Sequence, residues 1–267
     1  APVITSDGGG ATAGLSVAEN LGAVTTVTSS DVDGGAPVYS IVGGADAALF
    51  SIDSLSGVLT FNAAPDYEAP ADAGADNVYD VTVQVADGNG GFDTQAIAVT
   101  VTNVNEAPVI TSNGGGASAS VSAAENQTAA TTVTSIDVDG GTAVYSIVGG
   151  ADAALFAIDA VTGLLTFDTP PNFEAPADAG ANNVYEVIVA VTDGNGGTDT
   201  QALSVTVTDV NEAPVISSNG GGATAAVSVA ENQTAVTTIS STDVDGGAPA
   251  YSIVGGADAA RFSIDSA

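Results

Sequence analysis

The sequence predicts an all-β protein in which small β-sandwiches follow one another end to end, each with about seven strands in Greek-key order. Three observations support this fold class. The chain repeats itself at intervals of 106 residues, as the positions of Glu19, Glu125 and Glu231 show. Within each repeat, apolar and polar residues alternate as they do in half-buried strands. Clusters of Gly, Asp and Asn separate these stretches, and the sequence has no long helical pattern.

The repeat divides the chain into three parts. Residues 1–106 and 107–212 are complete copies that match without insertion or deletion, and residues 213–267 correspond to the first half of a third copy. A period of this length suits a whole small domain rather than one turn of a solenoid. Half a sandwich would leave strand edges unpaired. We therefore expect the natural chain to continue, the alternative being that another molecule supplies the missing strands.

Alternating stretches place the strands of the first repeat. The clearest are 78–85 and 96–102, where Ile97, Val99 and Val101 share one face. The segment 43–50 predicts a single helical turn, and the three glycines at 8–10 predict a kink between two halves of the first strand. The other predicted strands are 3–5, 15–17, 24–28, 38–42, 50–52 and 58–61.

The inward faces of these strands predict the core. A domain of this size buries most of a modest core, and the aromatic residues Tyr39, Phe50 and Phe61 are assigned to packing rather than to ligand binding. The remaining predicted core residues of the first repeat are Val27, Ile41, Ile52, Leu59, Val81, Val83, Ile97, Val99 and Val101.

Composition limits the possible partners. The chain has 32 acidic residues and one basic residue, Arg261, so its formal charge is −31, yet 45% of its residues are hydrophobic. That apolar content predicts a folded chain rather than an acidic disordered one. Nucleic acid and anionic membranes would be repelled, so neither is expected as a partner, whereas cations are. No apolar run approaches the ~20 residues that span a bilayer, so we expect no membrane insertion in this segment.

Missing residue types also limit the chemistry. Cys and His are absent, which removes thiolate and imidazole metal ligands and most nucleophile–base pairs. Carboxylate pairs such as Asp66 and Glu68 could in principle serve acid–base work, but they recur in every repeat and have a simpler explanation as cation ligands. We predict that the protein is not an enzyme.

Acidic motifs recur in the same order in each repeat. In the first repeat they are Glu19-Asn20, Asp31-Val32-Asp33, Asp66-Tyr67-Glu68, Asp87-Gly88-Asn89 and the joint Asn103-Val104-Asn105-Glu106-Ala107-Pro108. Their carboxylate, amide and carbonyl oxygens are the ligands that Ca²⁺ prefers. Together, ordered in this way and spaced identically twice over, the motifs resemble the cadherin repeat, and more closely the cadherin-like tandem repeats of large bacterial surface and secreted proteins. The resemblance covers the whole chain and implies a cadherin- or immunoglobulin-like sandwich.

The resemblance implies that each joint between repeats binds Ca²⁺ with ligands from both neighbours. For the first joint the implied ligands are Glu19, Asp66, Glu68, Asn103, Asn105, Glu106, Asp137, Asp139 and Asp193. For the second they are Glu125, Glu174, Asp209, Asn211, Glu212, Asp243 and Asp245.

Two departures from the family pattern lower the expected ion count to between one and three per joint. Asn103 stands where the family linker has Asp, in a linker one residue shorter, and Asn172 stands where the first repeat has Asp66. Some of the implied ligands also have a simpler explanation. Asp87 and Asp193 begin Gly- and Asn-rich hairpin loops that form without any metal. Asp53, Asp72 and Asp76 lie outside the motifs and are expected at the solvated surface.

The implied function is a calcium-stiffened, extracellular or cell-surface rod for cell adhesion or surface attachment. Its partners would be calcium ions and, in addition, other copies of the chain or a cell-surface ligand. The main alternative is a self-assembling subunit of an extracellular fibre or surface layer. A third is a carbohydrate-binding or enzyme-accessory module, which would usually need exposed aromatic residues.

Overall fold

A computed structural model describes residues 1–266. These residues form two compact units. Unit 1 contains residues 1–106 together with Val138–Gly140, and unit 2 contains Ala107–Asp137 and the chain from Gly141 onward. A short segment of the second repeat, with Asp139 at its centre, therefore folds with the first repeat.

The first repeat contains nine strands. They are β1 (Val3–Ile4), β2 (Thr12–Ala18), β3 (Ala23–Thr26), β4 (Ser29–Ser30), β5 (Val38–Gly43), β6 (Phe50–Ile52), β7 (Val58–Phe61), β8 (Val78–Ala86) and β9 (Phe92–Thr102). A 3₁₀ turn at Ala47–Leu49 confirms the predicted helical turn. Counting β1 with β2 and β3 with β4 as halves of broken strands leaves seven, as the sequence predicts.

These strands form the two layers of a sandwich. One sheet has the order β2-β9-β8-β5, and the other has the order β3-β7-β6, while β1 and β4 form a separate two-stranded pair. The chain passes from the second sheet to the first between β7 and β8, which brings the two layers face to face. The β-sandwich fold class predicted from the sequence is confirmed.

One strand pair of the first repeat departs from the antiparallel pairing that is usual in Greek-key sandwiches. β2 runs parallel to β9, whereas β1 runs antiparallel to β4 in a separate two-stranded pair. The chain between the halves of the broken first strand turns through Gly8 and Gly9, whose φ angles are 87° and 64°. Because such angles strain any residue with a Cβ, glycine allows the chain to leave one sheet and join the other. The predicted kink is confirmed. The parallel direction of β2 could not be predicted, because a hydropathy pattern carries no information about strand direction.

The core lies between the two sheets and matches the predicted set closely. Ten of the predicted positions are buried, while Ile41 and Ile52 are half-buried and pack against them. Ile4, Tyr79 and Val85 are also buried and were not predicted. Rings of Phe50 and Phe61 stack at 4.6 Å, and Tyr79 meets Phe61 edge-on at 5.2 Å.

Unit 2 contains the second repeat with the same architecture. Its strands are β10 (Val109–Ile110), β11 (Ser118–Ala124), β12 (Ala129–Thr132), β13 (Ser135–Ile136), β14 (Val144–Gly149), β15 (Phe156–Ile158), β16 (Leu164–Phe167), β17 (Val184–Thr192) and β18 (Thr198–Thr208). Its sheets have the orders β11-β18-β17-β14 and β12-β16-β15, with β10 paired to β13. The partial third repeat adds β19 (Val215–Ile216) and β20 (Ser241–Thr242), which pair with each other.

Two buried aspartates connect loops in each sandwich, and one of them corrects a sequence expectation. Asp72 is only 6% exposed, and its carboxylate accepts hydrogen bonds from the backbone N–H groups of Asp76 and Asn77. The expectation that Asp72 is a solvated surface residue is therefore wrong, because the 72–77 loop folds around its side chain. Asp46 is buried as well, and it accepts bonds from the backbone of Ala73 and Asp80.

Candidate metal centre

The innermost residue of the candidate site is a buried glutamate directly after β2. Glu19 is 1% exposed, and its two carboxylate oxygens accept hydrogen bonds from the backbone N–H groups of Tyr67 and Val104, each at 2.7 Å. Glu125 makes the equivalent bonds to Phe173 and Val210, each at 2.8 Å. These N–H groups compensate the negative charge of the buried glutamate. The bonds also join three distant parts of each repeat, namely the end of the first long strand, the loop that contains Tyr67 or Phe173, and the linker.

Around Glu19, unit 1 gathers four carboxylates, which we call the first acidic cluster: Glu19, Glu68, Glu106 and Asp139. Each contributes an oxygen, and these oxygens all lie within 4.8 Å of one another. Glu68 comes from the long loop after β7, Glu106 from the segment after β9, and Asp139 from the second sequence repeat. Such spacing lets one cation contact several of the oxygens at once.

Asparagine side chains hold the first acidic cluster together. Asn103 donates through its Nδ2 to Glu68 at 2.8 Å and to Asp139 at 2.7 Å. The other oxygen of Asp139 accepts the backbone N–H of Glu106. Asn105 donates to the backbone carbonyl of Glu106 at 3.1 Å. The linker therefore bonds to acidic side chains from both sequence repeats.

Unit 2 gathers the equivalent carboxylates, which we call the second acidic cluster: Glu125, Glu174, Asp209, Glu212 and Asp245. They form two overlapping groups that share Glu174, one with Glu125 and Asp209 and the other with Glu212 and Asp245. Asp245 accepts the backbone N–H of Glu212, and Asn211 donates to the carbonyl of Glu212 at 2.8 Å. The linker geometry of the first cluster is thus repeated.

Several oxygens of these clusters are buried without a hydrogen-bond donor. Within the described residues they are Oε2 of Glu68, Oε2 of Glu212 and Oδ1 of Asp245. A buried acceptor that lacks a donor costs roughly 1–3 kcal/mol. The protein has no Lys or His, and its one Arg, Arg261, lies 3.6 Å from Asp258. No side-chain cation compensates the clustered charge, so the oxygens fit a bound cation.

Burial, together with crowding of like charges, raises the pKa of Glu68 in the first cluster and of Asp209 in the second. Burial raises the pKa of Glu68, and the charges of Glu19 and Asp139 raise it further. Burial raises the pKa of Asp209 in the same way, with Asp245 and Glu125 as the next causes. A raised carboxyl pKa shows that the ionised form is disfavoured where it stands, as expected for a cluster short of positive charge.

Two further cluster carboxyls have a raised pKa despite a donor that acts against the shift. The backbone of Glu174 lowers its pKa, but burial and the charges of Glu125, Glu212 and Asp245 outweigh this. The amide of Asn126 lowers the pKa of Glu212, while burial and the charges of Glu125 and Asp245 raise it. Neighbouring positive charge therefore does not compensate the negative charge of either carboxylate.

The structure does not bring every implied ligand into these clusters. Asp66 lies outside the first one and accepts the backbone N–H of Ala69 at 2.9 Å, a turn contact that Asn172 reproduces with Ala175 at 2.7 Å. Since Asn forms the same turn, the Asp-to-Asn difference between repeats has a structural explanation. The other implied acidic ligands outside both clusters are Asp137, Asp193 and Asp243.

Asp193 accepts hydrogen bonds from the backbone of its own hairpin loop. It is 4% exposed and accepts backbone N–H groups from Asn195, Gly196 and Gly197 at 2.6–3.0 Å. Asp87 does the same with Asn89 and Gly91. These bonds are those of the hairpin loop that the sequence offered as the alternative for both residues.

Sequence reasoning missed two site residues, Asn20 and Asn126. Asn20 donates to a carboxylate oxygen of Glu106 at 2.8 Å, and Asn126 donates to Glu212. Both have a positive φ, 62° and 61°, which Asn tolerates better than most residues. Their position directly after the buried glutamates was the available signal.

Comparisons with known proteins agree with this description. Human Protocadherin-23 is 31% identical over 233 residues, which are 83% of this chain and 6% of the relative. Mouse Protocadherin Fat 4 is 27% identical over 255 residues, 91% of this chain and 5% of the relative. The chain thus spans only a small part of these proteins. No family model matches it.

Solved structures show the same fold. Mouse Cadherin-23 EC22-24 aligns with a TM-score of 0.51 and 22% identity, covering 92% of this chain and 78% of that one. Human Protocadherin-24 EC1-2 aligns with a TM-score of 0.51 and 21% identity, covering 79% of this chain and 99% of that one. Together with the sequence relatives, they support a cadherin-like domain family for these repeats.

Proposed function

We propose that the chain binds Ca²⁺ at the two acidic clusters and that the ions stiffen the joints between consecutive repeats of an extracellular rod. The single observation that carries this proposal is the gathering of carboxylates at each linker with no side-chain cation to compensate them. All the available ligand atoms are hard oxygens from carboxylates, amides and backbone carbonyls. Ca²⁺ accepts six to eight such oxygens in irregular arrangements, whereas Mg²⁺ demands a near-ideal octahedron.

Charge explains how an ion would stiffen the joint. Two carboxylates about 4 Å apart repel each other by about 1 kcal/mol even in a water-like dielectric, and by more where water is excluded. A bound divalent ion supplies the positive charge that converts this repulsion into bridging. Glu68 and Glu106 would then hold the ion from the first repeat, while Asp139 would hold it from the second.

The comparisons support the extracellular location expected from the sequence, since the similar proteins are cadherins and protocadherins. Extracellular modules bind Ca²⁺ with dissociation constants of about 10⁻⁴–10⁻³ M, so the joints would be ordered outside a cell and loose in a calcium-poor compartment. In the part of the chain that the structure describes, no helix is both long and apolar enough to cross a bilayer. A bacterial source stays a prediction, because the relatives named above come from human and mouse.

The experiment is a calcium titration of the full chain. Calorimetry measures the binding, and small-angle scattering measures the maximum dimension of the chain. We expect saturable binding at both clusters and a larger maximum dimension in calcium than in chelator. Glu68→Gln with Glu106→Gln should abolish binding at the first cluster, and Glu174→Gln with Glu212→Gln should abolish it at the second. Asp168→Asn, which removes one exposed charge elsewhere, is the matched control and should bind normally.

Absence of saturable binding would refute the calcium proposal. Binding with an unchanged maximum dimension would refute the stiffening alone. Sedimentation of the same samples separates adhesion from self-assembly, since a rod for adhesion stays monomeric in calcium and a fibre subunit forms ordered polymers.

A further inference from the structure

The two acidic clusters differ at one position in the linker. Asn103 directly follows β9, and Asp209 directly follows β18, so they occupy the same place in consecutive repeats. Most other contacts of the clusters are shared. Each has a buried glutamate bonded to two backbone N–H groups, and in each the linker glutamate, Glu106 or Glu212, donates its backbone N–H to an aspartate.

Asn103 acts as a bridge in the first acidic cluster. Its amide group has two N–H bonds, and its Nδ2 lies 2.8 Å from an oxygen of Glu68 and 2.7 Å from an oxygen of Asp139. One neutral side chain therefore donates to two carboxylates from different sequence repeats. Hydrogen bonds to ionised acceptors are about twice as strong as those between neutral groups.

Asp209 cannot form this bridge. An ionised carboxylate has no proton to donate, so the second cluster gains a negative charge where the first has two N–H donors. An oxygen of Asp209 lies within 4.8 Å of oxygens of Glu125 and Glu174. Two buried oxygens of this cluster, on Glu212 and Asp245, have no donor within the described residues, against one in the first, on Glu68.

We infer that Asn103 keeps the first linker ordered without any cation, whereas Asp209 makes the order of the second linker depend on one. The claim about the second linker rests on the proposed calcium function. The claim about the first linker does not, since the Asn103 bridge itself needs no ion. In calcium, an ion at the first cluster must displace or share the bridged oxygens of Glu68 and Asp139. The first cluster therefore binds calcium more weakly than the second, and one chain carries a constitutive joint and a conditional one.

The test is amide hydrogen exchange of the full chain in chelator and in calcium, read at residues 103–107 and 209–213. In chelator we expect the first linker to exchange about tenfold more slowly than the second, the effect of losing about one charge-assisted hydrogen bond. Calcium should remove most of this difference. Amides of β8 and β17 report whether each sandwich remains folded.

Reciprocal substitutions provide the matched controls. Asn103→Asp should speed exchange in the first linker about tenfold in chelator and raise its calcium affinity, while Asp209→Asn should slow exchange in the second and lower its affinity. Asn103→Ala removes the bridge without adding charge. The exchange rate of its first linker in chelator should fall between those of the native protein and Asn103→Asp.

The outcomes separate the inference from the proposed function. Equal exchange of the two linkers in chelator, unchanged by the reciprocal substitutions, would overturn the inference. Failure of calcium to bind would refute the proposed function, yet the chelator difference would still be expected. If both clusters bound calcium equally tightly in all variants, the claim about graded affinity would be wrong.

Discussion

Glu19 and Glu125 show how a single residue contributes to both the fold and the candidate site. Each side chain is buried, accepts two backbone N–H groups and lies within an acidic cluster. The equivalent residue of the partial third repeat, Glu231, is exposed. The glutamate at this position of the repeat is therefore buried in the two complete repeats and exposed in the partial third one.

Substituting this glutamate should destabilise its sandwich even without metal. In Glu19→Gln the carbonyl oxygen still accepts one of the two backbone bonds, but the NH₂ group cannot accept the other, from Tyr67 or from Val104. We therefore expect a loss of about 2 kcal/mol, in the range for hydrogen bonds to charged groups. Calorimetric melting in chelator measures this loss. Glu231→Gln is the control and should change stability by less than about 0.5 kcal/mol, as exposed substitutions usually do. Equal effects of the two substitutions would contradict a structural role for Glu19.

At this scale the sequence predicts charged residues better than it predicts their contacts. Glu68, Glu106 and Asp139 could be named because the recurring motifs resemble the cadherin repeat, and this resemblance implies them as ligands. Asn20 was missed because its role depends on a left-handed backbone conformation that places its amide near Glu106. Asp72 was wrongly assigned to the surface because the loop that surrounds it has no periodic pattern.

Among the elements, the turn that contains Gly57 shows how closely neighbouring segments of one sheet approach, since it precedes β7 and contacts the chain just after β3. Gly57 has a φ of 72°, and a Cβ added there would lie 2.1 Å from the carbonyl oxygen of Val27. Gly163 has the same relation to Val133 in the second repeat. Only glycine allows the backbone of this turn to contact the strand segment beside it.

Alanine at position 57 should therefore destabilise the first sandwich strongly. We expect Gly57→Ala to cost about 3 kcal/mol or more, from the strain of positive φ together with the backbone clash. Gly14→Ala is the control, since Gly14 lies in β2 with open space around its Cα and no positive φ. Chemical denaturation in calcium should give Gly14→Ala a stability within about 0.5 kcal/mol of the native protein. Tolerance of alanine at position 57 would show that the turn can move away from Val27.

Strand positions were largely predictable, but strand partners were not. Alternation places β8 and β9 to within a few residues, because each buries one face against the core. The parallel pairing of β2 with β9 depends on the chain path through Gly8 and Gly9, which alternation does not encode.

At the scale of the whole molecule, excess negative charge makes stability depend on pH in a direction set by the clusters. The pKa values of Glu68, Glu174, Asp209 and Glu212 are raised in the folded protein. A group with a raised folded pKa contributes stability that is present at low pH and lost as pH rises through that value. The metal-free clusters are therefore least favourable at neutral pH.

We expect the chelated protein to melt at a higher temperature near pH 5 than at pH 7, whereas calcium should reduce or reverse this difference. Carboxyls with lowered pKa values act the other way, namely Asp53, Asp72, Asp87 and Asp159. Their contribution is lost only as pH falls below the ordinary value of 3.8, so it does not affect the comparison. Calorimetric scans of the full chain at both pH values measure the shift. A lower melting temperature at pH 5 in chelator would contradict uncompensated charge at the clusters.

The single arginine has a consequence for the life of the protein outside a cell. Arg261 is the only basic side chain of the chain, it is 82% exposed, and its partner Asp258 is exposed as well. Proteases that cleave after lysine or arginine therefore find one target bond in 267 residues, and none in either linker. Reagents and enzymes that modify lysine side chains find no substrate at all. A composition that is rich in carboxylates and has a single basic side chain thus also removes the cleavage sites of trypsin-like enzymes from the joints.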